Sequence, residues 1–534
     1  MRRAARCAEW AAHPNGTSLR GAVSRVVGIH AAAGGMMADP AEQIGGGIRR
    51  TRRPCERSRA KREPIPPAAR RAAVAGFVGT FIEYYDYAIF AVLTVYLAPL
   101  FFPASNPAMS LLAGLAVYGV GFVARPLGGI VFGRIGDRQG RRAALMLTIG
   151  LMGGCTVLMG LLPTYRTIGV FAPVLLVLLR LTQGLSAGSE MLGSITYVIE
   201  SAPASRRALL ASLTSFGAAL GGVAGGAMAL VVGVLVPHDD MISYGWRIPF
   251  LVAAPLSLVA FLLRKRVEDT PAFFELAKTE QIAKSPLREA VVHHWPQMLV
   301  ASALAIAANG PASVSNFFVT YLVGSRHLPF ATVMLAFTIS TLIGALTLPL
   351  AGSLSDRFGC RRMLAYVFAA FIVLCVPILL LLASARGPIL LGVGMTAYLV
   401  LVEFLAVPTW NYVALLFPSR ARFTGSTFGA NVGALLTGST GGLVAGWLVF
   451  VTGSLLGPVI WIGGWSLFGL SVLAASAKMT SDVSAAPEDP SGSGEGHAPH
   501  GAAQTTSSRG LDERRAAPAD ASPTADISAA EALR

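Results

Sequence analysis

The chain has 534 residues, of which 54% are hydrophobic and only 13% are charged, and its mean hydropathy is +0.60. These values are typical of a protein that crosses a membrane many times, and they exclude an ordinary soluble domain. The formal net charge of +15 does not indicate nucleic-acid binding. The basic residues concentrate in the first 71 residues and in short loops between apolar segments, as membrane orientation requires.

The cysteines and histidines form no recognisable site. The five cysteines show no C-x-x-C pair and no disulfide framework, and the eight histidines show no H-E-x-x-H or other metal-ligand spacing. A nucleophile with a paired base and a phosphate-binding loop are also missing from the sequence. We therefore expect no metal, no organic cofactor and no enzyme activity.

Both ends of the chain have the composition of disordered tails. Residues 1–69 are rich in Ala, Arg, Gly and Pro, with a basic cluster over 49–71, which predicts a disordered cytoplasmic tail. No sustained apolar core of a signal peptide follows the first residues, and Met36 or Met37 is an alternative start. Residues 478–534 are again Ser, Pro, Gly, Ala and charged.

Twelve apolar segments of a length that suits membrane helices lie between the tails. They are roughly 72–102, 110–133, 143–162, 170–199, 207–236, 246–263, 296–323, 330–353, 362–384, 387–416, 423–451 and 455–477. The longest internal polar stretch, 264–295, divides them into six and six. We therefore predict an all-α membrane protein of two six-helix bundles, 70–263 and 296–477, joined by a central cytoplasmic loop.

The basic residues of the loops predict the orientation. If the N-terminal tail is cytoplasmic, seventeen Lys and Arg face the cytoplasm and three, Arg166, Arg326 and Arg386, face outside. This asymmetry predicts that both termini are cytoplasmic. The seventeen are Arg134, Arg138, Arg141, Arg142, Arg206, Arg207, Arg264, Lys265, Arg266, Lys278, Lys284, Arg288, Arg357, Arg361, Arg362, Arg420 and Arg422.

The first segment, 72–102, carries two carboxylates near its middle. Glu83 and Asp86 are three residues apart and share one helical face, which Gly76 and Gly79 continue. An ionised acid at the centre of a membrane helix costs roughly 2.5–3.5 kcal/mol, so two acids indicate a polar cavity or an ion path. A carboxylate withdrawn from water holds a proton more readily. The alternative is that both acids pair with buried arginines and only hold the bundle together.

The loop after the second segment is repeated after the eighth. The first copy reads G-R-I-G-D-R-Q-G-R-R-A-A-L over 133–145, and the second reads G-S-L-S-D-R-F-G-C-R-R-M-L over 352–364, an offset of 219 residues. A second echo relates 203–207 to 418–422 at an offset of 215 residues. Two related bundles with a site between them near the membrane midplane are typical of transporters that rock one repeat against the other.

At these residues the chain resembles the major facilitator superfamily, whose loop between helices 2 and 3 reads G-x-x-x-D-R-x-G-R-[KR], with a weaker copy between helices 8 and 9. In that family the loop is a conformational latch. Gly133 would allow a close helix approach and Asp137 would meet a neighbouring helix N-terminus. The alternative is that the arginines only anchor the topology. The residues that the resemblance assigns to gating are Gly133, Asp137, Arg138, Gly140, Arg141, Arg142, Asp356, Arg357 and Arg361.

Further stretches resemble the metabolite:proton symporters within that superfamily, which carry citrate, oxoglutarate, shikimate, proline or betaine. They are EYYDY at 83–87, RPLG at 125–128, RLTQGLSAGSE at 180–190, WRIPF at 246–250 and RVEDTPAF at 266–273. The resemblance spans about 72–477. It implies a monomeric, multi-pass carrier of the bacterial inner membrane whose ligands are a small molecule and a proton.

Three departures from that pattern bear on substrate and coupling. Ser189 stands where the family commonly has a second glycine before Glu190. Leu415 stands before Leu416, Phe417 and Pro418, where the family often has a glutamate. A proline common in the eleventh helix is missing around 441–445.

The second and fourth segments supply the basic partners of this polar face. Arg125 lies in the second segment, and Arg180, Gln183 and Glu190 lie near one face of the fourth. Buried guanidinium groups need an acid of the protein or a substrate carboxylate. Segments one, two and four hold three acids and two arginines. A proton on one acid would balance the charges of this set and free an arginine to bind a substrate. We assign Glu83, Asp86 and Glu190 to proton coupling and Arg125, Arg180 and Gln183 to substrate binding. Structural ion pairs are the alternative.

The second half of the chain is less polar. Several of its polar residues could line a cavity, although polar residues in membrane helices more often make interhelical hydrogen bonds than ligand contacts. Glu403 stands out as a further acid in an apolar run. They are Asn309, Asn316, Thr320, Tyr321, Glu403, Asn411 and Asn431. In the fifth segment, small residues over 214–226 predict close helix packing first and cavity lining second.

The function predicted from these features is proton-coupled uptake of a small organic acid by alternating access. Uptake of a zwitterionic osmolyte such as proline or betaine is the alternative. The longer osmolyte carriers end in a heptad-patterned coiled coil, and the residues after Met479 show no such repeat, which favours the organic acid. A proton-driven exporter and a non-transporting metabolite sensor are further alternatives.

Overall fold

The computed structural model describes residues 64–279, 281, 285–385, 387–437 and 440–477. The tail predicted at 478–534 lies outside the described residues, as do residues 1–63 of the N-terminal tail and Arg386 and Lys284 of the loops. The first helix begins at Pro67. The last three residues of the predicted tail are therefore helical.

Helices make up the described chain, which contains no strand. The membrane-length helices of the first half are α1 (Pro67–Phe101), α2 (Pro107–Gln139), α3 (Arg141–Leu161), α4 (Phe171–Ser201), α5 (Arg207–Leu235) and α6 (Arg247–Lys265). Those of the second half are α7 (Trp295–Ser313 and Ser315–Gly324), α8 (Phe330–Phe358), α9 (Cys360–Ser384), α10 (Pro388–Leu415), α11 (Arg422–Thr437 and Gly441–Thr452) and α12 (Val459–Ala475).

Eleven of these helices in the described chain are long and apolar enough to cross a membrane. The twelfth predicted segment, 455–477, contains the shorter apolar helix Val459–Ala475. Twelve crossings and two cytoplasmic termini therefore stay predictions, whereas the all-helical architecture is confirmed.

The two halves of the chain pack in the same pattern. In the first half α1 packs on α5, α2 on α4 and α3 on α6. In the second half the equivalent helices pair, α7 with α11, α8 with α10 and α9 with α12. Two further contacts, α2 with α11 and α5 with α8, join the halves. The repeat seen in the two loops thus extends to the whole helix arrangement.

Small residues on α5 explain its close approach to α1. A Cβ at Gly217 would overlap the Phe77 carbonyl, and a Cβ at Gly221 would overlap the Phe81 carbonyl. Glycine at these positions brings the two backbones together. The stripe at 214–226 therefore serves helix packing, as expected.

The turns α2–α3 and α8–α9 lie at one end of the molecule, which we call the motif end. Both turns use a glycine with a positive φ, 105° at Gly140 and 88° at Gly359, a conformation that other residues adopt at a cost. The short helix Pro271–Lys278 follows α6 at the same end, with Thr270 as its N-cap, whose hydroxyl accepts from the Phe273 amide.

Candidate functional site

The first of three buried ion pairs joins α1 to α2. Arg125 Nη2 lies 3.2 Å from Glu83 Oε1, and Arg125 Nε donates to the Tyr87 hydroxyl at 3.4 Å. The guanidinium lies over the rings of Tyr87 and Phe122, 4.8 and 4.7 Å from their centroids. The Arg125 side chain is 14% exposed, whereas Glu83 is buried. Glu83 Oε2 has no hydrogen-bond partner among the described residues, so it has spare capacity to bind a proton.

The second ion pair joins α1 to α4. Arg180 Nη1 lies 2.9 Å from Asp86 Oδ2 and donates to Gln183 Oε1 at 2.7 Å. Thr156 on α3 donates to Asp86 Oδ1 at 2.8 Å and accepts from Gln183 Nε2 at 2.8 Å. The Arg180 guanidinium carbon lies 3.5 Å from the centroid of the Phe90 ring. Asp86 and Arg180 are thus buried in a network of the protein's own groups.

The third ion pair was not expected from the sequence. Glu190 on α4 pairs with Arg264 in the last turn of α6. Thr148 donates to Glu190 Oε2 at 2.7 Å, and Arg264 Nη1 donates to the Leu145 carbonyl at 2.7 Å. A side chain at Gly79 would overlap both charged groups. The sequence analysis placed Arg264 in the central loop because the apolar run ends at 263, but α6 continues to Lys265 and buries the guanidinium.

These pairs change the charge count on which the coupling hypothesis was based. Three acids face three arginines once α6 is included. The surplus acid inferred from α1, α2 and α4 therefore disappears, and the buried set is neutral as it stands.

The motif end joins α2 of the first half to α11 of the second. Asp137 accepts hydrogen bonds from the backbone amides of Phe423 and Thr424, at 3.3 and 2.9 Å, in the first turn of α11. A Cβ at Gly133 would lie 2.8 Å from the Thr424 Cα. Asp137 thus meets a helix N-terminus across the interface between the halves, and Gly133 makes room for that approach, both as expected.

The second copy of the motif makes the reciprocal contact. Asp356 accepts from the amides of Ala208 and Leu209, at 2.8 and 2.9 Å, in the first turn of α5. A Cβ at Gly352 would lie 2.7 Å from the Ala208 carbonyl. Each half therefore places a carboxylate on a helix N-terminus of the other half, where the helix dipole favours negative charge.

A buried charge network lies beside these caps. Arg141 is 3.1 Å from Asp137 and 3.2 Å from Glu200, and it also donates to the Ser419 carbonyl of the other half. Arg422 lies 3.3 Å from Glu200. The sequence analysis missed Glu200. The sequence did contain an indication of its role: Glu200 is an acid one residue past the fourth apolar segment, on the same side of the membrane as the arginine-rich loops.

The remaining arginines of the two motifs do not join the halves. Arg138 and Arg357 are exposed, and Arg357 lies over the neighbouring Phe358 ring, 5.4 Å from its centroid. Arg361 donates to the Leu473 carbonyl within the second half at 2.9 Å.

The first turn of α3 contacts the central loop. Asp269 accepts from the amides of Arg141 and Arg142, at 3.0 and 3.3 Å, and Arg142 also donates to the Lys265 carbonyl at 2.7 Å. A side chain at Gly140 would overlap the Asp269 carboxylate. This part of the motif therefore holds the loop against its own half.

The polar candidates of the second half mostly make hydrogen bonds within the protein. Asn309 and Asn411 donate to backbone carbonyls one turn earlier, and Asn431 donates to the Gly188 carbonyl of α4. Thr320 is exposed and Tyr321 stacks near Phe317. The side chain of Asn316 lies outside the described residues, and that of Glu403, partly buried on α10, makes no hydrogen bond or ion pair within the described chain.

Comparison with known proteins gives the family. The Major Facilitator Superfamily profile matches residues 76–440. The chain belongs to the major facilitator superfamily. Membership makes it a multi-pass transporter of the bacterial inner membrane and not an enzyme.

Several relatives within the superfamily are transporters of betaine, proline or ectoine. The chain is 34% identical over 413 residues to the glycine betaine/proline/ectoine/pipecolic acid transporter OusA of Dickeya dadantii, covering 75% of this chain and 82% of that one. It is also 34% identical over 421 residues to the ectoine/proline transporter ProP of Corynebacterium glutamicum, covering 74% and 82%.

A solved structure of the superfamily has the same fold. The proton:xylose symporter XylE bound to 6-bromo-6-deoxy-D-glucose superposes with a TM-score of 0.63 at 15% identity, covering 76% of this chain and 95% of that one. The relatives favour the osmolyte alternative over the organic acid that the sequence analysis placed first.

Proposed function

We propose that the protein takes up a zwitterionic osmolyte, of the proline and betaine class, together with a proton. The observation that carries the proposal is the partly exposed Arg125 guanidinium, paired with Glu83 and flanked by the rings of Tyr87 and Phe122. A guanidinium binds a carboxylate through two parallel hydrogen bonds, and aromatic faces attract quaternary ammonium groups. The site therefore offers a partner for the carboxylate end of a zwitterion, beside aromatic rings of the kind that favour a cation.

The charge balance of the first half also supports a zwitterion. Each buried arginine already has a carboxylate, so in the absence of a bound proton a free anion finds no spare positive charge, and burying it would leave a net charge in the site. A zwitterion adds no net charge. The lack of a heptad repeat in the sequence after Met479, which favoured the organic acid, concerns only the tail and not the site.

The same pair gives a route for proton coupling. When a substrate carboxylate binds Arg125, Glu83 loses its counter-ion and takes a proton, and its unpartnered Oε2 accepts that proton without breaking a hydrogen bond. With Glu83 neutral and Arg125 paired with the substrate carboxylate, the halves close around the occupied site. Asp86, Arg180 and Gln183 form the adjoining buried network, and Glu190 with Arg264 fixes α6 against α4.

The motif end is the cytoplasmic gate in this proposal. Four of the hydrogen bonds that join the two halves of the described chain, those to Asp137 and Asp356, lie at that end, and those of Thr427 and Asn431 lie further along α11. This arrangement favours an outward-facing state. Uptake then requires Asp137 and Asp356 to leave the first turns of α11 and α5. The protein would act as a monomer with both termini in the cytoplasm.

The test uses purified protein in liposomes that contain a pH-sensitive dye. Under an imposed inward proton gradient, glycine betaine or proline should cause inward proton movement, whereas citrate or oxoglutarate should not. Arg125→Lys should reduce uptake about tenfold or more, because a lysine cannot form the two-pronged contact. Arg166→Lys, at an exposed position of the short helix Tyr165–Ile168 between α3 and α4, is the matched control. Proton movement with a carboxylate alone would restore the organic acid, and silence with every substrate would favour an exporter or a sensor.

A further inference from the structure

One contact between the halves lies away from the motif end and close to the backbone of Arg125. Asn431 on α11 donates to the Gly188 carbonyl of α4. It lies nine residues beyond Arg422, where α11 begins, which is about 13 Å along the helix axis. Its amide nitrogen also donates to the Thr427 carbonyl in its own helix at 2.7 Å. The helix caps of the motif end do not account for this contact.

The residue that receives this hydrogen bond packs directly against Arg125. A Cβ at Gly188 would overlap the Arg125 carbonyl, and a Cβ at Gly184, one turn earlier, would overlap the Gly121 carbonyl. Glycine allows two helix backbones to approach this closely. The position of Arg125 relative to α4 is therefore set by contact of the two backbones, and a shift of α4 at Gly188 would move Arg125.

The same face of α11 also binds α2. The Thr427 hydroxyl, one turn before Asn431, donates to the Gly129 carbonyl, one turn after Arg125, at 3.2 Å. A Cβ at Gly129 would lie 3.1 Å from the Phe428 nitrogen, so these two backbones are also close. Thr427 and Asn431 thus bind the two helices whose contact positions Arg125, and both hydrogen bonds cross from the second half to the first.

We propose that Asn431 is a positioning residue for substrate binding: its hydrogen bond to Gly188 holds α4 against α2, so that Arg125 is placed to bind the substrate carboxylate. This inference rests on the proposed function. Because the hydrogen bond joins the two halves, it is made while the motif end is closed and breaks when that end opens. The substrate is therefore bound tightly from outside and less tightly once the site faces the cytoplasm, which favours its release.

The experiment is a double-mutant cycle of Asn431→Ala and Arg125→Lys, with the Kd of radiolabelled glycine betaine measured on the purified proteins. Asn431→Ala alone should raise the Kd about fivefold or more, because the hydrogen bond that fixes α4 on α11 is lost. In the Arg125→Lys background the same change should alter the Kd by less than about twofold, since the group that Asn431 positions has already been replaced. Ser302→Ala removes a hydrogen bond between α7 and α11 within the second half. It is the matched control and should keep the wild-type Kd.

Uptake into liposomes separates positioning from a purely structural role. Positioning predicts that Asn431→Ala raises the KM for betaine and leaves kcat unchanged, whereas a purely structural role lowers the maximal rate at an unchanged KM. The second result would overturn the inference. Equal effects of Asn431→Ala on the Kd in the wild-type and Arg125→Lys backgrounds would overturn it as well.

Thr427→Val is the second variant. It removes the hydroxyl that binds Gly129 and keeps a β-branched side chain, and it should raise the Kd by a smaller factor, about twofold to threefold. If Asn431→Ala does not fold, an unchanged Kd in Thr427→Val counts against the inference. Wild-type protein that binds no zwitterion would instead contradict the proposed function.

Discussion

In the first half of the bundle three arginines are buried against three carboxylates at the candidate site, and Arg141 is buried against two more at the motif end. The described membrane helices of the second half contain no ion pair between two of their own side chains. Yet the helices of the two halves pair in the same order. The repeat therefore sets the packing and the motif end, and the charged site has developed in one half only. Most of the charged groups of the described membrane helices therefore lie in one half.

The comparison also separates the three ion pairs by exposure. The Arg125 side chain is 14% exposed, whereas those of Arg180 and Arg264 are 1% and 4% exposed. A buried pair is costly to break because the remaining charge has no solvent and no partner. We therefore expect the two deeper pairs to govern stability and the shallower pair to govern substrate binding.

The largest effect should follow from removing Arg264. Arg264→Met leaves Glu190 charged and unpaired, which should cost about 3–5 kcal/mol of stability and lower the melting temperature of the purified protein in detergent. The double variant Glu190→Leu with Arg264→Met should regain most of that loss, because it removes both charges. Arg166→Met is the exposed control. Equal melting of Arg264→Met and the control would show that the pair is not structural.

Gly79 tests the same pair from α1. Gly79→Ala introduces a Cβ into the space that the Arg264 and Glu190 groups fill, and overpacking of this kind costs about 1–3 kcal/mol. Gly222→Ala on α5, where nothing lies within 4 Å of the added Cβ, should be neutral or slightly stabilising. The difference between the two melting temperatures measures the cost of the steric overlap at Gly79. A Gly79→Ala protein as stable as Gly222→Ala would contradict the described geometry.

The two copies of the motif each cap a helix N-terminus of the opposite half, so both caps should contribute, although Asp137 also pairs with Arg141. Asp137→Asn and Asp356→Asn each weaken a charged cap on a helix of the opposite half, and caps contribute about 0.5–2 kcal/mol. Both variants should populate a more open motif end. Spin labels at Gln139 and Phe358, in a background without cysteines, report the opening as a shift of the distance distribution to longer values. A shift in only one of the two variants would mean that only one repeat retains the latch.

The sequence predicted the parts of this structure that depend on local pattern. Apolar runs located the helices, the repeated loop located the motif end, and the aspartate of that loop indicated the contact with a helix N-terminus. The partners across the bundle were less accessible, because they depend on which helix faces lie together. Arg264 follows its apolar run directly, so composition assigned it to a loop, and only the fold shows Glu190 beside it. Thr156 and Thr148 carried no signal in the sequence that set them apart from other apolar-segment threonines.

The smallest expected effect concerns the loop after α6, which contacts the N-terminus of α3 and has no counterpart described in the second half. Asp269 accepts from the first amides of α3, whereas Gly359, the glycine equivalent to Gly140, has open space where its side chain would be. Burial raises the pKa of the Asp269 carboxyl above its ordinary range despite these hydrogen bonds. The neutral form is therefore favoured by folding, and the contribution of this group to stability falls as the pH rises through the folded pKa.

This sign leads to a prediction with two variants. At neutral pH, Asp269→Asn should be neutral or slightly stabilising, because the amide keeps an acceptor oxygen without the buried charge, whereas Asp269→Ala should cost about 0.5–2 kcal/mol. Below the ordinary pKa of an aspartate, Asp269 of the wild type is itself protonated. The wild type should then melt at the same temperature as Asp269→Asn. Melting curves at neutral and acidic pH measure both differences. An Asp269→Asn protein that is clearly less stable than the wild type at neutral pH would show that the charge, and not only the acceptor, is needed to hold the loop on α3.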